Sequence, residues 1–201
     1  MTQLNESMLT EFDFKLVIDR SGSMGETDCP GGRSRWDYMR ENAMSFARDM
    51  AKLDSDGIDV VTFGGTDIKA FSNVTATSIG DIFAGQSPRG GTPLAQALTA
   101  AINLGNHSDK KQFIMVFTDG LPDDQEAAAK VIRDQSNKQV NDEDLTILFV
   151  QVGYDKSATQ YLENLDDHLT GCKFDIVDAL TIEQAEQFSS TVEMVIKAIG
   201  D

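Results

Sequence analysis

The sequence predicts an α/β protein: a three-layer, doubly wound, mostly parallel six-stranded sheet with one antiparallel edge strand and helices on both faces. Three observations predict it. Strand-length apolar runs alternate with helix-length stretches of three-and-four spacing from Phe14 to Ile199, and right-handed crossovers leave few other arrangements for such a series. Two of the runs, Leu16-Val17-Ile18 and Phe113-Ile114-Met115-Val116-Phe117, are apolar without alternation, as suits central parallel strands covered on both faces. Both close on an acid, Asp19 and Asp119, which places two carboxylates at the sheet edge where doubly wound folds carry their sites.

The first run leads into Asp19-Arg20-Ser21-Gly22-Ser23, one carboxylate and two hydroxyls around a glycine that lets the backbone turn. Glu26 to Arg35, with Pro30-Gly31-Gly32, reads as a loop. Ser34 and Asp37 are spaced as a capping box, and Trp36, Met39, Ala43, Phe46, Ala47 and Met50 form one apolar face of the helix that follows. Ile58 to Phe63 is a second strand, turned by Gly64-Gly65-Thr66-Asp67 into Ile68 to Val74 as an antiparallel hairpin at the sheet edge.

Ala76 to Ala84 holds a short helix and Gly85 to Gly91 a loop. Pro93 at the first helical position makes Thr92 the N-cap of a helix through Leu94, Ala97, Leu98, Ala101 and Ile102, ending near Gly105. Beyond Phe117, Pro122 to Asp124 opens a helix with Ala127, Ala128, Val131 and Ile132 inward, and Asp123 and Asp124 read as first-turn acids that complement the helix dipole. Leu145 to Val152 is a further buried strand, Ser157 to Asp166 a short helix, and Phe174 to Val177 the last strand. Thr181 and Gln184 cap a closing helix that carries Ile182, Ala185, Phe188, Val192, Val195 and Ile199. Residues 1–11 read as a flexible lead and residues 12–201 as one domain.

Seventeen basic against 33 acidic residues give a formal net charge of −16. Repulsion at that charge argues against nucleic acid and anionic membranes as partners and favours cations nearby. The chain shows no signal-peptide succession and no apolar run long enough to span a bilayer, which predicts a cytoplasmic protein. Cys29 and Cys172 lack zinc-site spacing and are too few for a disulfide framework. They read as free thiols, with Cys29 in an exposed loop and a single bridge between the two as the alternative. His107 and His168 fall outside the loops of interest and read as surface or structural residues.

Three loops then converge at one sheet edge: Asp19-x-Ser21-x-Ser23, Thr92 in Gly91-Thr92-Pro93, and Asp119-Gly120. Hydroxyl and carboxylate oxygens together suit a hard cation, and the two acids repel each other unless a cation or a proton intervenes. The pattern resembles the von Willebrand factor A family, of Rossmann-like integrin I-domain fold, whose metal-ion-dependent adhesion site uses an Asp-x-Ser-x-Ser, a distant Thr and a distant Asp. All five positions carry matching residue types in the family's order, and the resemblance spans nearly the whole chain. It implies that Ser21, Ser23 and Thr92 place hydroxyl oxygens on the ion, while Asp19 and Asp119 act through waters or through hydrogen bonds to those hydroxyls.

Mg²⁺, which prefers six oxygens and commonly keeps waters, is the ion such a hydroxyl-rich set favours, with Mn²⁺ and Ca²⁺ as alternatives. By the same resemblance the protein is a non-enzymatic binding module. A Glu or Asp carboxylate of a protein partner completes the ion's shell, and the last helix, 181–200, is the element that moves. Intracellular bacterial members serve multiprotein complexes, including stress or tellurium-resistance systems and ATPase-linked assemblies. The alternative is a Mg²⁺-dependent hydrolase or phosphatase using Asp19 at the strand end. Against it, a haloacid dehalogenase-type phosphatase has Asp-x-Asp where Ser21 replaces the second acid, and no Gly-x-x-x-x-Gly-Lys phosphate loop occurs. The Gly-x-Gly-x-x-Gly of a dinucleotide-binding domain is also missing.

Overall fold

A computed structural model describes residues 6–54, 57–105 and 110–200. His107 lies outside the described residues. The sheet is built from β1 (Phe12–Asp19), β2 (Ile58–Gly64), β3 (Asp67–Val74), β4 (Lys111–Thr118), β5 (Leu145–Gln151) and β6 (Val177–Leu180), in the order β3-β2-β1-β4-β5-β6. β2 and β3 pair antiparallel at one edge and every other pair is parallel. Winding therefore runs outward in one direction from β1 and in the other from β4. The reversal falls between two neighbouring strands, whose C-terminal ends open the crevice that holds the site.

Because alternate residues of a strand face opposite sides, the two apolar strand runs feed two separate cores. Phe14, Leu16, Ile18, Phe113 and Met115 pack on one face against α1 (Arg35–Met50), α2 (Ile79–Phe83), α6 (Ile182–Ala185) and α7 (Thr191–Ile199). On the other face Val17, Val61, Ile114, Val116 and Phe149 meet α3 (Leu94–Asn103), α4 (Gln125–Ser136) and α5 (Lys156–Asp167). Lys15 interrupts the second face. Its stem is buried and its ammonium donates to the carbonyls of Ala101 (2.9 Å) and Leu104 (2.5 Å) and to Gln112 Oε1 (3.0 Å), tying the C-terminal end of α3 to the central strand.

Several boundaries differ from the sequence reading. Glu6–Glu11, within the segment read as a flexible lead, forms a 3-10 turn whose Leu9 is fully buried. The last strand is Val177–Leu180 and not Phe174 to Val177. The closing helix is two helices: Ser190 accepts from the Glu193 N–H and starts α7 afresh, and Glu193 accepts from both the backbone and the hydroxyl of Ser189. These serine bonds offer the backbone a cap in place of a continued helix, which an apolar-periodicity reading passes over. Cys29 is buried and not exposed, and it and Cys172 are free thiols. No described helix is long and apolar enough to cross a membrane.

Phe14 joins β1 to both neighbours of the first core, with its ring 6.4 Å from that of Phe46 on α1 and 6.1 Å from that of Phe113 on β4. Phe14→Ala is expected to destabilise the fold by about 3–5 kcal/mol. Urea unfolding would read this as a lower midpoint with an unchanged slope.

Candidate functional site

Asp19 ends β1 and is fully buried. One carboxylate oxygen accepts the Ser21 N–H (2.7 Å) and the other accepts the hydroxyl of Thr118 (2.7 Å), the last residue of the neighbouring strand β4. These bonds hold the acid at the floor of the crevice and turn the chain into its loop. Above it, the Ser21 and Ser23 hydroxyls lie 3.2 Å apart, and both reach Asp119 Oδ1, at 3.4 and 3.0 Å. Four of the five residues singled out by sequence thus form one connected oxygen cluster.

Thr92, the fifth, makes its hydrogen bonds to Asp123 and Leu94 and none to the cluster, although its loop lies along the first one. Gly22 N–H donates to Gly90 carbonyl (2.9 Å), Arg89 N–H to Arg20 carbonyl (2.7 Å), and Gly65 N–H to Gly91 carbonyl (2.9 Å), so the second loop is laid along the first. The sequence reading made Thr92 the N-cap of α3. Here Pro93 occupies that position and no side chain caps the helix, because a proline at N-cap has no hydroxyl to offer. Asp123, read as a first-turn acid, instead accepts the Thr92 N–H (2.9 Å) and donates its own N–H to the Thr92 carbonyl (3.0 Å). Asp124 is the residue that caps α4.

A carboxylate in the hairpin turn braces this arrangement. Asp67 Oδ2 lies 2.5 Å from the buried Arg20 guanidinium and 2.8 Å from that of Arg89, one from each hydroxyl-bearing loop. Gly64 makes the approach possible, since a Cβ there would stand 2.8 Å from Arg20 carbonyl oxygen and 2.9 Å from that of Arg89. Arg20 is thus a structural clamp facing inward.

Burial sets the electrostatics. It pushes Asp19 up from 3.8 to about 7, with the charge of Asp119 adding to the shift and the Ser21 and Thr118 donors opposing it. Burial raises Asp119 as well, partly offset by Arg35, whose Nη1 lies 2.9 Å from Asp119 Oδ2. Two carboxylates held out of water behind hydroxyls on a strand-end crevice form a hard-oxygen donor set that suits a divalent cation and would be relieved by one. Among the described residues no three His, Cys, Asp or Glu side chains converge as an ion-binding group. A cation here would therefore depend on the hydroxyls. Thr118, Arg35 and Asp67 are the residues around the cluster that sequence reasoning missed, and Asp123 is one that it assigned to the helix in preference to the site. Thr118 alone carried a signal, as the residue before Asp119 at the end of a buried strand.

Residues 14–121 match the family of the von Willebrand factor type A domain. No curated protein matches significantly. Among solved structures, an aerotolerance-related membrane protein of Bacteroides fragilis is 14% identical with a TM-score of 0.65, over 94% of this chain and 98% of that one. The PilB minor pilin of Streptococcus sanguinis is 16% identical with a TM-score of 0.63, over 94% of this chain and 60% of that one. The manganese-loaded TRAP protein of Plasmodium vivax is 16% identical with a TM-score of 0.58, over 88% and 71%. At such identities these likenesses speak for the fold.

The raised Asp19 gives a pH prediction for protein freed of metal by chelator. Its folded-state value exceeds its unfolded one, so ionisation opposes folding: the penalty is absent below about 3.8 and complete above about 7. Asp19→Asn, which cannot ionise, is expected to melt above wild type at pH 8, by at most about 4 kcal/mol of added stability. The advantage should shrink as pH falls below 7, which paired melting curves from pH 8 to 5 would follow.

Proposed function

Since the chain belongs to the von Willebrand factor type A domain family, we propose that it is a protein-interaction module working through a divalent cation, Mg²⁺ first, held at Ser21, Ser23, Thr92, Asp19 and Asp119. A Glu or Asp carboxylate of the partner protein completes the site. The observation that carries this reading is the convergence of the Ser21 and Ser23 hydroxyls on Asp119 Oδ1, with the buried Asp19 bound to the Ser21 N–H. The ion would supply a hard Lewis-acid centre with a position left open for an external oxygen. Within the chain, the serines present neutral oxygens, and the two acids orient those hydroxyls and supply negative charge from behind. Thr92 would join them from the loop that Gly90 and Gly91 lay along the first.

Fold likeness to a protein described as manganese-loaded, and to a minor pilin, agrees with a cation-using interaction module. The hydrolase reading gains nothing from the geometry. Asp19, the acid it needs as nucleophile, has no exposed surface, and its two oxygens are engaged by Ser21 and Thr118.

Calorimetric titration of chelator-stripped protein with Mg²⁺ is the direct test. Wild type is expected to bind, and Asp19→Ala and Ser21→Ala/Ser23→Ala to weaken binding at least about tenfold, about 1.4 kcal/mol. Absence of binding by wild type, or unaltered binding by both variants, would remove the metal from this reading.

A further inference from the structure

Arg35 is a cation built in behind the oxygen cluster. It is the first residue of α1, where the helix dipole disfavours positive charge, so helix formation does not explain it. Its guanidinium is nearly buried and fully committed. Nη1 lies 2.9 Å from Asp119 Oδ2, Nε and Nη2 bind both oxygens of Asp28 at 2.9 and 2.6 Å, and Nη2 lies 2.9 Å from Glu26 Oε2. The loop after β5 leaves room for it only because residue 153 is glycine: a Cβ there would stand 2.4 Å from Arg35 Nε.

The consequence for Asp119 is specific. One of its oxygens is neutralised by the guanidinium and the other accepts from Ser21 and Ser23. The acid is therefore fixed in place with part of its charge cancelled, by a guanidinium shared with Asp28 and Glu26 and held on the oxygen that the serines do not touch. We propose that Arg35 is a counter-charge that limits the affinity of the chain alone for a divalent cation, so that the site holds its ion firmly only when the partner's carboxylate adds negative charge. This inference rests on the metal reading above. It makes cation and partner mutually dependent, since each supplies what the other needs to stay.

Mg²⁺ titration of Arg35→Gln and Arg35→Lys, together with their melting temperatures in chelator, tests the inference. Arg35→Gln removes the charge and is expected to bind Mg²⁺ at least about tenfold more tightly than wild type while melting lower without metal, because Asp119, Asp28 and Glu26 lose their shared cation. Arg35→Lys keeps the charge and should stay close to wild-type affinity. A merely structural role would lower the melting temperature without tightening the binding. Asp28→Asn, at a partly exposed position, gives a second route should Arg35→Gln fail to fold: it frees the guanidinium for Asp119 and is expected to weaken Mg²⁺ binding severalfold. Arg35→Gln binding no tighter than a binding wild type, Arg35→Lys tightening like Arg35→Gln, or Asp28→Asn binding as wild type or better would each overturn the inference alone. If neither wild type nor Arg35→Gln binds Mg²⁺, this inference and the metal reading fall together.

Discussion

Two carboxylates held out of water at adjoining strand ends set the electrostatic constraint that the rest of the crevice answers. Asp19 and Asp119 end up as neighbours because β1 and β4 run parallel in register, with Ile18 opposite Phe117, and the two strands are wound outward in opposite senses. Isolated buried acids would be costly. Each therefore has its own attendants: Ser21 N–H and the Thr118 hydroxyl for Asp19, the serine hydroxyls and Arg35 for Asp119. The attendants are donors, and the two on the open side are hydroxyls that can turn their lone pairs toward a cation. A cluster that is satisfied by hydrogen bonds is also one that a cation can reorganise without unfolding anything.

The frame around that cluster is mostly backbone. Glycines 22, 64, 65, 90 and 91 let three loop segments lie against one another at hydrogen-bonding distance, and side chains on them would collide at several points, as at Gly90, where a Cβ would stand 2.5 Å from Gly65 Cα. The edge hairpin takes part through Asp67, which joins Arg20 to Arg89. An element with no residue in the oxygen cluster therefore sets the spacing between the loops that carry Ser21, Ser23 and Thr92. These bonds tie the loops to one another and to the sheet edge, as the proposed site, with neutral hydroxyls for ligands, would require.

On the proposed reading, hydroxyls donate little charge to a cation and Arg35 cancels part of what Asp119 supplies, so an external carboxylate would be the strongest missing component. The chain's strongly acidic composition, −16 in formal charge, keeps stray acidic chains away at long range. The acidic side chain of the proposed partner would have to be presented on a surface that fits closely enough to overcome that repulsion.

The sequence by itself determined the layers, the antiparallel edge hairpin and the two strand-end acids, because these follow from near-neighbour patterns: continuous apolar runs, helical spacing and turn residues. It also singled out Ser21, Ser23 and Thr92, because Asp-x-Ser-x-Ser is a local motif and Thr92 stands in a short glycine-rich turn. Only the tertiary structure decided which distant groups serve them. Arg35 meets Asp119 across 84 residues, Arg20 meets Asp67 across 47, and Asp123 meets Thr92 across 31. Asp123, beside a helix start, had a sufficient local explanation, and Arg35 carried no local signal of its partner. The burial of Cys29 was settled in the same way, by packing, whereas the break before α7 is local, made by Ser189, Ser190 and Glu193. Strand register and loop stacking choose such partners, and no periodicity along the chain records them.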